Sequence, residues 1–150
     1  MKPINSYHPL GQSRTIRAAL FIVCWIYAGG AWAAEMIVHP GVAVQTLTVN
    51  EARSIFGMRQ LVWPGGAPVR VFVLPEQHSL HANFCREVLN IYPYQLKLSW
   101  NRLVYSGTGQ APTEVATEQE MLARVATTPG AVGYVNKVNS NDPVHTISVR

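Results

Sequence analysis

Apolar positions along this chain fall into two patterns, short β-branched runs and stretches at helical spacing, and the two take turns. Met36-Ile37-Val38 is a compact apolar run inside Glu35 to His39, which predicts a strand ended by Pro40-Gly41. Thr48-Val49-Asn50-Glu51 has the form of a capping box, in which the threonine hydroxyl and the glutamate carboxylate satisfy each other's backbone amides. The helix behind it runs to Phe56, with Ala52, Ile55 and Phe56 on its apolar side and Gly57 as the C′ residue. Trp63-Pro64-Gly65-Gly66-Ala67-Pro68 is turn chemistry, and Val69 to Leu74, apolar except for Arg70, predicts a buried strand stopped by Pro75.

Ser79 can cap a helix from Leu80 to about Leu89, with Leu80, Phe84 and Val88 facing the core. Pro93 suits the first turn of the next helix, which reaches about Asn101 with Leu96 and Trp100 on one face. A loop with Gly107 and Gly109 follows. Thr117 to Glu120 is a second capping box, and its helix carries Met121, Leu122 and Val125. Strands close the chain at Val132 to Val135 and Val144 to Val149. This alternation of strands and helices predicts an α/β domain.

The first 33 residues are of a different kind. Lys2, Arg14 and Arg17 precede and enter an apolar run, Ala18 to Ala28, and Ala31-Trp32-Ala33 has the small-x-small form of a cleavage site. Residues 1–33 are therefore expected to be a signal peptide cut after Ala33, and residues 34–150 the exported, periplasmic domain. The run is short for a membrane span, with a retained anchor as the alternative. Those three cations take three of the four net positive charges with them, so the high pI is a targeting feature, and nothing indicates a nucleic-acid partner. Cys24 falls in the signal. Cys85 is then alone in the domain and has no partner for an internal disulfide.

Four stretches carry candidate chemistry, and each has a plainer reading beside it. At Gln77-His78-Ser79 the free amides of Leu80, His81 and Ala82 would point out of a helix N-terminus, where a small anion is favoured; an ordinary capped helix accounts for the same residues. His78, His81 and Cys85 fall on a narrow helical arc and suit zinc or copper, against a buried structural cysteine with two solvated histidines. A Cys85–His nucleophile pair lacks the presentation that attack requires. Ser106-Gly107-Thr108-Gly109 could cradle an anion, but it has no Gly-Lys-Ser/Thr ending and reads equally as a connecting loop. Trp63, Trp100, Tyr105 and Tyr134 are expected in core and rim packing. No catalytic set emerges, and no cofactor or metal is called for.

Several of these stretches together resemble a known family. Leu47, Glu51 and Ile55-Phe56 followed by Trp63-Pro64-Gly65-Gly66, the helix opening Pro75 to Ser79 with Phe84, Trp100 with Ser106-Gly107 and Gly109, and Pro129-Gly130-Ala131-Val132-Gly133-Tyr134-Val135 are similar to successive landmarks of periplasmic phosphate-binding proteins. The chain resembles the short, single-lobe, phosphate ABC transporter substrate-binding protein-like group. That resemblance implies one lobe of a type II periplasmic-binding-protein-like fold, a mixed sheet flanked by helices. It also implies an exported, non-enzymatic binding-type fold, and it does not by itself imply phosphate transport; the function expected is binding of phosphate or a related oxyanion for ABC-type uptake, through Gln77, His78, Ser79 and Leu80 and the Ser106-Gly107 loop. The alternative is a ligand-free interaction module of the bacterial envelope. Partners would be the anion, an envelope or transporter protein, or a second copy covering the face that a missing lobe leaves open. Two departures stand out. The family's arginine before the helix opening is replaced by Leu74-Pro75, and His78 stands where a serine is usual.

Overall fold

The computed structural model describes residues 34–150, so the expected signal, its cleavage and Cys24 lie outside the described residues. The strands are β1 (Glu35–Val38), β2 (Thr46–Leu47), β3 (Arg70–Val73), β4 (Thr113–Glu114), β5 (Ala131–Val135) and β6 (His145–Val149). They form one six-stranded sheet in the order β2-β6-β1-β5-β3-β4. β5, β3 and β4 run parallel, β1 is antiparallel to both β5 and β6, and β2 pairs parallel with β6. The sheet is mixed, as expected. β2 and β4 have only two residues each and left no periodic signal in the sequence.

The helices are α1 (Val49–Phe56), α2 (Ser79–Asn83), α3 (Pro93–Tyr105) and α4 (Glu118–Thr127), and a π-helical turn, Phe84–Val88, continues α2. The Thr48/Glu51 capping box forms in full, and Thr48 holds the Glu51 carboxyl below the usual carboxylate range by backbone and hydroxyl hydrogen bonds. α1 does not end on a left-handed glycine. Gly57 has φ −76°, and the left-handed residue is Met58, at φ 58°. Gly57 is needed for a different reason: a Cβ there would stand 2.7 Å from the Arg53 carbonyl.

The π turn changes which side chains reach the core. Its i→i+5 bonding inserts one extra residue per turn, so the apolar row runs Leu80, Phe84, Leu89, while Val88 is only half-buried. The segment ends with Asn90 at φ 51°. Its last carbonyls are met by Arg53, whose Nε donates to Leu89 O at 2.6 Å and Nη2 to Asn90 O at 3.0 Å. A cation there complements the negative end of the helix.

β5 is buried at every position, which requires cover on both faces. Gly133 faces α4 so closely that a Cβ would meet Met121 Sδ at 2.4 Å. Tyr134, on the opposite face, stacks on Phe84 with ring centroids 4.0 Å apart and lies beside Phe56. Gly130 has φ +75°, and a Cβ would come within 2.0 Å of the Pro68 carbonyl. Its own carbonyl accepts from Trp63 Nε1 at 2.9 Å and from the Arg70 amide at 3.0 Å. The Trp63 turn and the Pro129-Gly130 turn are thereby fastened together at the start of β3. Among the described residues no helix is long and apolar enough to cross a membrane.

Candidate functional site

β3 delivers the chain through Pro75 and Glu76 to the start of α2, the segment in which an anion was expected. The structure alters the donor set there. His78, not Ser79, is the N-cap: its Nδ1 accepts from the Leu80 amide at 3.2 Å. The Ala82 amide bonds to the His78 carbonyl at 3.2 Å. The expectation that the Leu80 and Ala82 amides are free is therefore corrected. Among the described residues, the amides of Ser79 and His81 donate to no protein acceptor. Gln77 and Ser79 are exposed and His78 is half-buried, so all three side chains border solvent.

One charged group near this segment could not be found by spacing. Lys97, from the first turns of α3, forms an ion pair with Glu76, and the Glu76 carboxylate holds the Lys97 ammonium above its usual range. Both side chains are exposed, so the pair contributes little to stability. It does place an ammonium next to the helix opening that lacks the family's arginine, and that ammonium is already shared with a carboxylate.

The other predicted segment is elsewhere. Ser106 lies nine residues beyond Lys97, about 13 Å further along α3, so the fold does not bring Ser106 and Gly107 to the Gln77–Leu80 opening. The loop is also chemically unsuited to an anion. It closes the C-terminus of α3, the negative end of the helix. The amides of Ser106, Gly107, Thr108 and Gly109 all donate to carbonyls of Arg102, Leu103 and Val104, at 3.0–3.2 Å. The Ser106 hydroxyl turns back to Arg102 O at 2.6 Å. No amide of this loop points outward as an anion cradle would require.

Beneath α2 lies a buried polar chain that the sequence did not disclose. The Leu74 amide donates to Tyr134 Oη at 2.9 Å, and Tyr134 Oη lies 2.5 Å from His81 Nδ1. One arrangement gives every group a partner: the phenol oxygen accepts from Leu74 and donates its own proton to His81 Nδ1, and the imidazole, as the Nε2–H tautomer, directs its proton to Cys85 Sγ, 3.6 Å away. His81 is 1% exposed, and burial lowers its pKa, with Glu76 acting in the opposite direction and His78 adding to the lowering. Burial pushes the Cys85 thiol up to about 12 and raises the Tyr134 phenol as well.

This arrangement overturns the picture of two solvated histidines. His81 is a core residue that joins the end of β3, β5 and the α2–π junction. It also answers the two reactive readings of Cys85: a buried thiol with a raised pKa is not a nucleophile. Among the described residues, no three His, Cys, Asp or Glu side chains are placed to share a metal ion.

Comparison with known proteins bears on the fold. No protein-family model and no curated protein matches the chain. Solved structures do. An ABC-type phosphate transport receptor from Vibrio cholerae superposes with a TM-score of 0.57 at 14% identity, over 79% of this chain and 47% of the receptor. A Clostridium perfringens structure described as a phosphate ABC transporter substrate-binding protein, with bound phosphate, gives 0.59 at 18% identity, over 79% and 46%. PstS from Borrelia burgdorferi gives 0.58 at 15% identity, over 78% and 47%. The chain thus has a fold of the periplasmic-binding-protein type, as its motifs implied, and spans less than half the length of these structures.

Proposed function

We propose that this chain is an exported, non-enzymatic binding domain of the phosphate-binding-protein type, which holds phosphate or a similar small oxyanion weakly at the α2 opening. The observation that carries the reading is the likeness of fold to phosphate receptors, one of them solved with its anion. In an α/β layer, ligands collect beyond strand ends where a loop feeds a helix, and β3 feeds α2 in that way. The holding groups would be the Ser79 and His81 amides, the Ser79 hydroxyl and the Gln77 carboxamide, with His78 Nε2 at the rim. Neutral donors give hydrogen bonds about half as strong as charge-assisted ones, so affinity is expected on the order of micromolar to millimolar. The domain would act in the periplasm after removal of the first 33 residues, and ABC-type uptake is the process that such receptors serve.

One observation favours a second reading, an envelope interaction module that kept the fold and lost the ligand. His78 already engages the Leu80 amide, and Glu76 places a carboxylate beside the opening. Calorimetric titration with phosphate, sulfate and arsenate distinguishes the two. Saturable heat with phosphate supports the receptor. No heat and no thermal shift with any of the three anions removes that reading and leaves the interaction module.

A further inference from the structure

α3 has an outer face that no part of the described domain covers. Leu96 is its only fully buried residue. On the side turned away from Leu96, at helical spacing, stand Tyr94, Leu98 and Tyr105, which are 57%, 51% and 86% exposed. Two clefts of about 530 and 360 Å³ adjoin this stripe and share Tyr94 and Gln95, making one furrow. Arg59 and Arg102 line the larger cleft and Arg86 the smaller.

The charge of this furrow is one-sided. No acidic residue stands between Glu87 and Glu114 in the sequence. The ion pairs among the described residues are Lys97–Glu76 and Arg124–Glu120, so none of the three furrow arginines is matched by a carboxylate there. Arginine stays charged at every physiological pH, and its fork favours carboxylates. Exposed tyrosine beside unmatched arginine is a combination enriched at protein interfaces.

We propose that this furrow is a docking site for an acidic segment of a partner protein, with one or two apolar side chains seated against Tyr94 and Leu98 and its carboxylates on Arg59 and Arg102. Complementary charge identifies the occupant. Concavity separates it from an anionic bilayer, which would meet a flat or convex aromatic face and would not fill paired clefts. The site is distinct from the α2 opening and does not depend on anion binding there.

The test uses random twelve-residue peptides displayed against the purified protein, followed by fluorescence anisotropy of the enriched peptides. Enrichment of sequences that combine Asp or Glu with Leu, Phe or Trp is expected, with binding on the order of micromolar that weakens as salt is raised. The double variant Arg59→Glu/Arg102→Glu should weaken that binding about tenfold or more, and Tyr94→Ala should weaken it independently of salt; all three positions are exposed, and unchanged thermal melting confirms folding. Failure to enrich, enrichment of peptides without net negative charge, or binding indifferent to these variants would overturn the proposal. So would variant-sensitive pelleting with phosphatidylglycerol vesicles, which assigns the face to a membrane, or variant-sensitive dimerisation in sedimentation, which assigns it to a second copy.

Discussion

Replacing Tyr134 by Phe removes one oxygen and leaves the ring, so its effect can be worked out from the buried chain alone. The stacking on Phe84 at 4.0 Å is retained, and no cavity of consequence opens. Two groups lose their partner: the Leu74 amide, which donates to Oη at 2.9 Å, and His81 Nδ1, 2.5 Å from it. Leu74 and His81 are each 1% exposed, so water cannot take the oxygen's place. An unsatisfied buried polar group costs about 1–3 kcal/mol, and two of them should lower stability by about 2–6 kcal/mol, a large part of the 5–15 kcal/mol typical of a domain. Urea unfolding followed by tryptophan fluorescence should show the midpoint falling with an unchanged slope. In a His81→Leu background the same substitution should cost at least about 1 kcal/mol less, because one of the two orphaned groups is already gone. A loss below about 0.5 kcal/mol, or strict additivity of the two changes, would refute the chain of hydrogen bonds drawn here.

Other expectations are shorter. Gly130→Ala combines a positive φ with a carbonyl 2.0 Å from the new Cβ, whereas Gly107→Ala has a similar φ (68°) and open space; the first should cost clearly more than the roughly 1–2 kcal/mol that left-handed backbone alone imposes on a non-glycine residue, as read by the difference in Tm. Burial lowers the pKa of His81 in the fold, so its contribution is fully present above the unfolded value near 6.5 and is lost as pH falls from there toward the folded value. Denaturant titrations should accordingly show stability declining through that window, and His81→Leu should flatten the decline. If an anion binds at the α2 opening, His78→Ala removes both the ring at the rim and the acceptor that now occupies the Leu80 amide, so calorimetry should register a changed affinity, and an unchanged one would place the anion elsewhere. Ser79 is the first helical residue, where proline is well tolerated; Ser79→Pro should leave the melting temperature nearly unchanged and weaken the anion at every pH by deleting an amide. Mass spectrometry of the exported protein should find its N-terminus within a residue or two of Ala34.

What the sequence disclosed and what it hid divide along a physical line. The capping box at Thr48 and Glu51 closes within four residues, and the buried strand before Pro75 and the Pro129-Gly130 turn are signalled by residue types within a short stretch, although their hydrogen-bond partners lie far away in the chain. The π turn is local too, but there a neighbour outside the segment takes part. Arg53, from α1, satisfies the carbonyls at Leu89 and Asn90 that the π turn ends on, and no pattern within 79–88 announces that. The Lys97–Glu76 pair and the His81–Tyr134 contact join residues 21 and 53 positions apart, which a single sequence cannot bring together. Ser106 and Gly107 suggest an anion loop by residue type alone. Their position at a helix C-terminus, which sets the polarity of the groups they expose, appears only with the boundary of α3 at Tyr105.

The same division explains why the motifs spoke reliably for the fold and say less about a ligand. Trp63 is fixed by its indole bond to Gly130, Gly130 by the approach of Pro68, Gly133 by Met121 of α4, and Tyr134 by Leu74 and His81. Each of these positions is held by buried geometry that few residue types satisfy, whether or not an anion is ever bound. The helix opening is under no such constraint. Its side chains border solvent, and a histidine can cap the helix where the family has serine, because an imidazole nitrogen accepts from the second helical amide as a hydroxyl would. Resemblance carried by the first set of residues would survive the complete loss of binding. The question of function therefore rests on the three solvent-bordering side chains Gln77, His78 and Ser79, and the comparison of His78→Ala with Ser79→Pro probes them while leaving every buried residue that carries the resemblance in place.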